Sequence, residues 1–381
     1  MVKNKIYNYI ALEFTRSFIL TLFSLSLIAW TVRAVNFLDL IVDSGYSTST
    51  YFLYSLLNLT NILTKFIPLS FLLALVFTVI RLERQNELLV IWTSGISKKQ
   101  ISNLFLRISF VVVLLYISFS TIITPYSLNK SRTLIKQSGV DTVSNLLKPN
   151  VFADTFKGLT FYIGEKDQNI LRNIFIKDDG NNLGNLLPEK NGAKNKTIIA
   201  KNGIISENKI ILENGVIQSY DDNDIVKIIQ FNRTLLNFEN FDNRVIKEVK
   251  IQETPTLKIL TCLKNNFNKI LDEDKVVKNC PKNNISIIVE TFSRRMIMPF
   301  YIPIISILIS FLLIYKKNKR NKVLNRYIFF ILGFLLLVMS DLLVRYSGIS
   351  SFYFYTYLVT PFLLSPLVYL ILINSFKKEL K

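Results

Sequence analysis

The chain reads as an α-helical membrane protein with six transmembrane helices and, between the third and the fourth, an extracytoplasmic all-β domain of jelly-roll type. Three observations carry that reading. Six apolar stretches stand at residues 14–40, 51–80, 101–124, 297–315, 327–343 and 352–373, and about 20 apolar residues suffice to cross ~30 Å of hydrocarbon. Basic residues crowd into one set of the short loops between them. The long segment 125–296 has a different texture, short β-like runs broken by Asn, Asp and Gly.

Taken in order, the first stretch is too long for the apolar core of a signal peptide, and no small-residue cleavage site follows it. It reads as a retained span. The first two stretches exceed the minimum and so tilt or project beyond the bilayer; the fourth and fifth are nearer to it. Lys3, Lys5, Arg81, Arg84, Lys98, Lys99, the 316–326 loop and Lys377, Lys378 and Lys381 all fall on one side. The opposite short loops, 41–50 and 347–351, hold no Lys or Arg. By the positive-inside rule both termini are cytoplasmic, which leaves 125–296 outside. The expected organisation is therefore helices 1–3 within 1–125, an outer domain with a connecting helical segment over 126–296, and helices 4–6 within 297–381. The net charge of +19, from 46 Lys and Arg against 27 Asp and Glu, follows in part from this bias. It gives no reason to expect a nucleic-acid partner.

Within the outer segment, strand-like runs fall at 151–156, 160–164, 171–177, 197–201, 209–213, 215–220, 224–231 and 234–238. Several short strands at this spacing predict a sandwich or jelly roll. Alternation is imperfect. In 224–231, Ile225, Ile229 and Phe231 share one face while Val226 and Ile228 share the other. Such strands either pack on both sides or line an apolar groove. From 255 to 290 the texture turns helical, with Leu257, Leu260 and Leu263 spaced for one face. Cys262 and Cys280 both lie in this outer segment, where an oxidising compartment permits a disulfide. If they meet, the bridge contributes about 3 kcal/mol in the chain-entropy model.

Chemistry is narrowed mainly by what is missing. The chain contains no His, which excludes Ser-His triads and His-ligated metals, and two cysteines cannot complete a four-ligand zinc site. No metal or cofactor is expected. Neither G-x-x-x-x-G-K-[ST] nor a strand-linked G-x-G-x-x-G occurs, so the chain has no nucleotide site of these kinds. It is not expected to be an enzyme, and if it does active work a partner supplies the energy.

Between the second and third spans, residues 81–99 predict an amphipathic cytoplasmic helix near 81–95. Leu88, Ile91 and Trp92 make an i, i+3, i+4 face, Gly95 stands where a helix C-cap belongs, and Ser97 can cap the helix that follows. Two readings fit: a solvated interfacial loop, or a docking helix whose Glu87 offers a charge to a partner.

The segment Arg84-Gln-Asn-Glu-Leu-Leu-Val-Ile-Trp-Thr-Ser-Gly-Ile-Ser97 resembles the coupling-helix motif of the lipopolysaccharide-export permeases, the LptF/LptG family. Pro68-Leu-Ser70, ahead of the end of the second span, and Glu290-Thr-Phe-Ser-Arg-Arg295, ahead of the fourth, also look like family features. The resemblance covers the whole chain. It implies a permease subunit of an ATP-driven ABC-type transporter in the bacterial inner membrane, which extracts lipopolysaccharide and passes it to a periplasmic jelly-roll bridge protein. The implied partners are a cytoplasmic ABC ATPase and a second six-span permease. Glu87 then matches the glutamate presented to the ATPase, with Leu88, Ile91 and Trp92 on the coupling helix and Gly95 ending it; Asn86 stands where the family commonly has Ser. Arg33 falls where such proteins place basic residues toward the lipid cavity. A guanidinium suits a phosphate contact, although snorkelling to outer headgroups accounts for it as well. Residues 150–163 look more like LptF than LptG.

Asp341 and Arg345, four apart in the fifth span, suit a structural ion pair. Lys65, inside the second span, has no role legible from sequence. The rival to the transporter reading is a membrane sensor or scaffold whose outer β-domain binds a ligand. An intramembrane enzyme is a weaker third.

Overall fold

The computed structural model describes residues 2–42, 46–138, 149–156, 158–167, 169–179, 195–206, 209–220, 226–237, 251–266, 285–314 and 319–379. Five helical segments in it are long and apolar enough to cross a membrane: Lys5–Ile41, Thr48–Arg84, Lys98–Ile135, Val323–Tyr346 and Phe352–Glu379. They are built on α1 (Val2–Asn36), α3 (Thr48–Arg84), α5 (Lys98–Ser118) continued by α6 (Thr124–Ser138), α10 (Lys319–Tyr346) and α11 (Ser351–Glu379); α2 (Asp39–Val42) and α4 (Glu87–Thr93) are short. A further crossing exists if Ser286–Met296 and Met298–Leu313, bent by 45°, count as one span.

The sequence expects the run from 284 to pass straight into that span. It does not. A 3-10 turn, Met298–Tyr301, with Pro299 in its first positions, separates α8 (Ile285–Met296) from α9 (Ile302–Ser310), which itself carries Pro303 in its first turn. Proline lacks the N–H that would continue the helical ladder, so the helix breaks there.

The chain divides into two compact units. One comprises Met1–Val32, Leu57–Asn129 and Lys250–Lys381; the other comprises Arg33–Leu56 and Lys130–Val249. The core of the first is built from Ile10, Phe14, Phe71, Leu75, Phe105 and Ile305. Ser70, Ser109 and Ser306 are fully buried among these helices, and such small side chains let helix backbones approach closely.

Between α5 and α6 runs one π-helical segment, Phe119–Ile123, where Pro125 leaves the carbonyl of Thr121 without its i+4 donor. The Thr256 hydroxyl supplies it, 2.9 Å away. Thr256 opens α7 (Thr256–Asn266). The same connection is held by Arg295, which is buried and donates to Thr254 O at 3.0 Å, Thr256 Oγ1 at 2.8 Å and Gln252 O at 2.8 Å. The buried face of α7 is Ile259 and Cys262, packed with Leu263 against Ile288 and Phe292. Leu257 and Leu260, expected on that face, are exposed instead. Cys280 lies outside the described residues, and with it the pairing considered for Cys262.

The second unit holds a six-stranded antiparallel sheet in sequence order: β1 (Phe152–Phe156), β2 (Leu159–Asp167), β3 (Ile170–Asp178), β4 (Asn195–Ser206), β5 (Lys209–Tyr220) and β6 (Val226–Asn237). A jelly roll calls for Greek-key crossings; the six described strands are joined as a meander. Runs read as separate strands at 209–213 and 215–220 are one strand, β5, and those at 224–231 and 234–238 are one strand, β6.

What divides them in sequence is a crease. The ladders skip Gly164, Asn173, Lys201, Asn214 and Asn232, one position per strand in a single row across β2 to β6. Asn173 and Asn214 sit there at φ 53° and 54°, a left-handed conformation that Asn tolerates better than most residues. The pleat changes phase at the row. Ile198 and Ala200 are buried before it and Ile205 after it, and likewise Ile210 and Leu212 before, Ile217 after. The buried positions thus pass from even to odd numbers in mid-strand, and strict alternation fails for that reason.

Candidate functional site

The end of the helical unit that carries Arg81, Arg84 and Lys98 is organised around α4. Asn86, at φ 58°, breaks the chain out of α3 and into α4. After Thr93 the helix closes in a Schellman arrangement, with Gly95 N donating to Trp92 O at 3.1 Å and Ile96 N to Ile91 O at 3.4 Å. Gly95 takes φ +82°, which a glycine adopts without strain. Ser97 then starts α5 with a capping box: its hydroxyl accepts from Gln100 N, and its own N–H donates to Gln100 Oε1 at 3.0 Å.

Of the expected face of α4, Leu88 and Ile91 are buried in the protein's own core, and Trp92 packs against that core. These residues anchor the helix. The surface it shows outward is Leu89 and Val90, each 64% exposed. The sequence reading passed over them because a 3.6-residue period identifies a face without saying which way it turns.

Charged and polar contacts bind the flanks of α4 to other helices. Tyr9 on α1 donates to Glu87 Oε1 at 3.0 Å, while Glu87 Oε2 is buried with no hydrogen-bond partner among the described residues. Glu13, also on α1, is 4% exposed and pairs with Arg81 at 2.5 Å and Arg16 at 3.4 Å. Glu83 pairs with Arg326 of α10 at 2.8 Å. Lys98 pairs with Glu379 at the end of α11 and lies 5.8 Å from the centre of the Trp92 ring. Glu13 was missed in sequence; its signal is an acid at the very edge of the first apolar stretch, three residues before an arginine.

The contacts around α4 just described do not include the remaining candidates. Arg33 is exposed in the last turn of α1, and Lys65 is exposed on α3. Asp341 does face Arg345, at 3.7 Å, but its shorter contact is with Arg294 of α8, at 2.6 Å. Arg294 also reaches Glu290 at 3.3 Å, so the expected pair is part of a four-residue network. No cluster of three or more His, Cys, Asp or Glu suited to a metal occurs among the described residues.

An uncharacterized protein of Rickettsia prowazekii (strain Madrid E) is 23% identical to this chain over 222 residues, which cover 58% of this chain and 60% of that relative. Residues 8–375 match the family model described as lipopolysaccharide export system permease LptF/LptG. That match takes in α4, the Glu13–Arg81 and Glu83–Arg326 pairs beside it, the crease and the Arg294–Asp341 contact, and the chain belongs to the LptF/LptG family.

Proposed function

We propose that this chain is one permease subunit of an ATP-driven lipopolysaccharide exporter in the bacterial inner membrane. In this reading it has six spans, the bent α8–α9 pair supplying the fourth, and both termini are cytoplasmic. A cytoplasmic ABC ATPase seats against α4, and a second permease of the same family completes a cavity that takes lipopolysaccharide from the outer leaflet. The creased sheet acts as the family's jelly-roll domain and hands the lipid to a periplasmic bridge protein. The resemblance of residues 150–163 favours the LptF role over LptG. ATP is used by the partner, and no cofactor is bound by this chain.

The observation that supports this best is the construction of α4. Leu88, Ile91 and Ile96 fix the helix to the core, while Leu89 and Val90 present a bare apolar pair beside Glu87. A solvated loop has no use for such an anchored, capped helix, whereas a surface that transmits force needs one. Arg33, at the other end of α1, is the residue proposed to meet the lipid phosphate.

The test is affinity purification of the tagged chain in mild detergent, with mass spectrometry and an ATPase assay, beside Glu87→Ala. Recovery of an ABC ATPase and a second six-span permease, weakened or uncoupled in the variant, is the expected result. A chain that emerges alone, without nucleotide hydrolysis, under conditions that preserve known complexes would point to a sensor or scaffold.

A further inference from the structure

α7 is 11 residues long and lies outside the five membrane-length segments. At about 100° per residue its perimeter divides into three strips. Thr256, Ile259, Cys262 and Leu263 face the protein. Leu260 and Leu257 come next around the helix, 41% and 77% exposed. Thr261 and Lys258, also exposed, complete the circle. The outward half of α7 is therefore apolar along one side and polar along the other.

Hydrogen bonds to the spans fix the depth of this helix. Thr256 Oγ1 donates to Thr121 O at 2.9 Å and accepts from Arg295 Nη1 at 2.8 Å, and Ser120 Oγ donates to Arg295 O at 3.1 Å. Thr121 stands about 20 residues beyond Ile101, where the third apolar stretch begins, or about 30 Å of helix. The hydrocarbon layer is ~30 Å thick, so Thr121 and Thr256 stand at its boundary. Ile122 and Tyr126, at the same level, are exposed, and tyrosine suits that boundary. Leu260 is one helical turn beyond Thr256, at most about 6 Å away along the axis whatever the tilt of α7. The headgroup layer on each side of the hydrocarbon is about 5–7 Å thick, so both leucines fall within it.

We propose that α7 is a membrane-surface anchor, with Leu257 and Leu260 embedded in bulk phospholipid beside Thr121. The leucines reach the upper methylenes of the acyl chains, while Thr261 and Lys258 meet water and phosphate. Depth selects this occupant: at the height of Thr121 the medium around the helices is lipid, and a helix wholly in water gains nothing from a contiguous leucine strip. The lipid thereby holds the connection that Arg295 clasps from within. In the orientation proposed above the layer belongs to the outer leaflet; the lipid contact itself does not rest on that orientation.

The test replaces Leu257, Leu260 or Lys258, one at a time, by the photoreactive residue p-benzoylphenylalanine. The full chain, purified with whatever partners accompany it, is irradiated in nanodiscs of phosphatidylethanolamine and phosphatidylglycerol, and adducts are identified by mass spectrometry. Benzophenone inserts into C–H bonds and not into water, so phospholipid adducts at 257 and 260 should exceed those at 258 several-fold. Equal lipid yields at 257 and 258 overturn the proposal. So do adducts formed mainly with protein, whether residues 267–284 of this chain or another subunit. In nanodiscs doped with lipopolysaccharide, phospholipid should remain the main adduct; adducts that form only when lipopolysaccharide is present overturn the bulk-lipid assignment. Both leucines are exposed, so the bulky residue displaces no core, and if one substitution prevents assembly the other reads the same contact. None of these outcomes alters the purification test of the permease reading, so the two can fail separately.

Discussion

Arg294 Nη1 lies 2.6 Å from Asp341 Oδ1, joining α8 to α10 across 47 residues of sequence. The i, i+4 neighbour of Asp341, Arg345, stands farther off at 3.7 Å and is 67% exposed. Asp341→Asn should therefore weaken the seating of α8 on α10 by about 1–2 kcal/mol, the range for a charged hydrogen bond discounted for partial exposure. Arg345→Ala should cost less than about 0.5 kcal/mol. Thermal unfolding of the detergent-solubilised chain compares the two; a larger loss in Arg345→Ala would show that the local pair matters more.

Gly95 can be tested on conformation alone. An added Cβ there meets nothing within 4 Å, so Gly95→Ala carries only the cost of an L-residue at φ +82°, about 1–2 kcal/mol. Gly95→Asn should recover about half of that loss. Stability curves of the three proteins decide it, and equal stability of Ala and Gly at this position would contradict the Schellman assignment.

The two faces of α4 should separate folding from partner recovery. Leu89→Ser/Val90→Ser alters exposed side chains and should change stability by less than about 0.5 kcal/mol, yet strip the ATPase from the purified complex. Ile91→Ala removes a core side chain and should cost about 2–5 kcal/mol. If Leu89→Ser/Val90→Ser keeps its full complement of ATPase, α4 is not the docking surface.

Glu13 provides a test of a buried charge. Because Glu13 is nearly enclosed while its partners Arg81 and Arg16 are half or more exposed, Glu13→Gln removes a charged hydrogen bond without stranding a buried charge and should lower stability by about 1–2 kcal/mol. Arg16→Ala, at a side chain 71% exposed, should be close to neutral. Chemical denaturation in mixed micelles reads the difference, and comparable effects from both variants would contradict the buried-pair argument.

At the crease, Gly215 is closely approached by its neighbours. A Cβ would come within 2.5 Å of Ile199 O and 2.4 Å of Phe231 Cζ, whereas at Gly203 the nearest atom is the mobile end of Ile174. Gly215→Ala should cost about 1–3 kcal/mol and more than Gly203→Ala, since backbone cannot yield as a side-chain terminus can. Amide exchange across β4 and β5 compares them.

Much of this protein was legible from local pattern. Apolar runs of span length disclose the membrane helices because the bilayer demands continuous apolar surface. Gly95 and Ser97 disclose the ends of α4 and the start of α5 because caps depend on a few adjacent residues. The strands of the β-domain were found too, but cut into too many pieces, since Asn173 and Asn214 are turn residues by local rule and became a crease because neighbouring strands align them in one row. The inward turn of Leu88 and Ile91, and the exposure of Leu89 and Val90, were set by where the core lies around α4. Arg294 displaced Arg345 as the nearer partner of Asp341 because the proline break after α8 brings a distant helix alongside α10. Local chemistry settles how a segment begins, ends and repeats; its neighbours settle which face is buried and which charge finds which partner, because those depend on distances that sequence spacing does not contain.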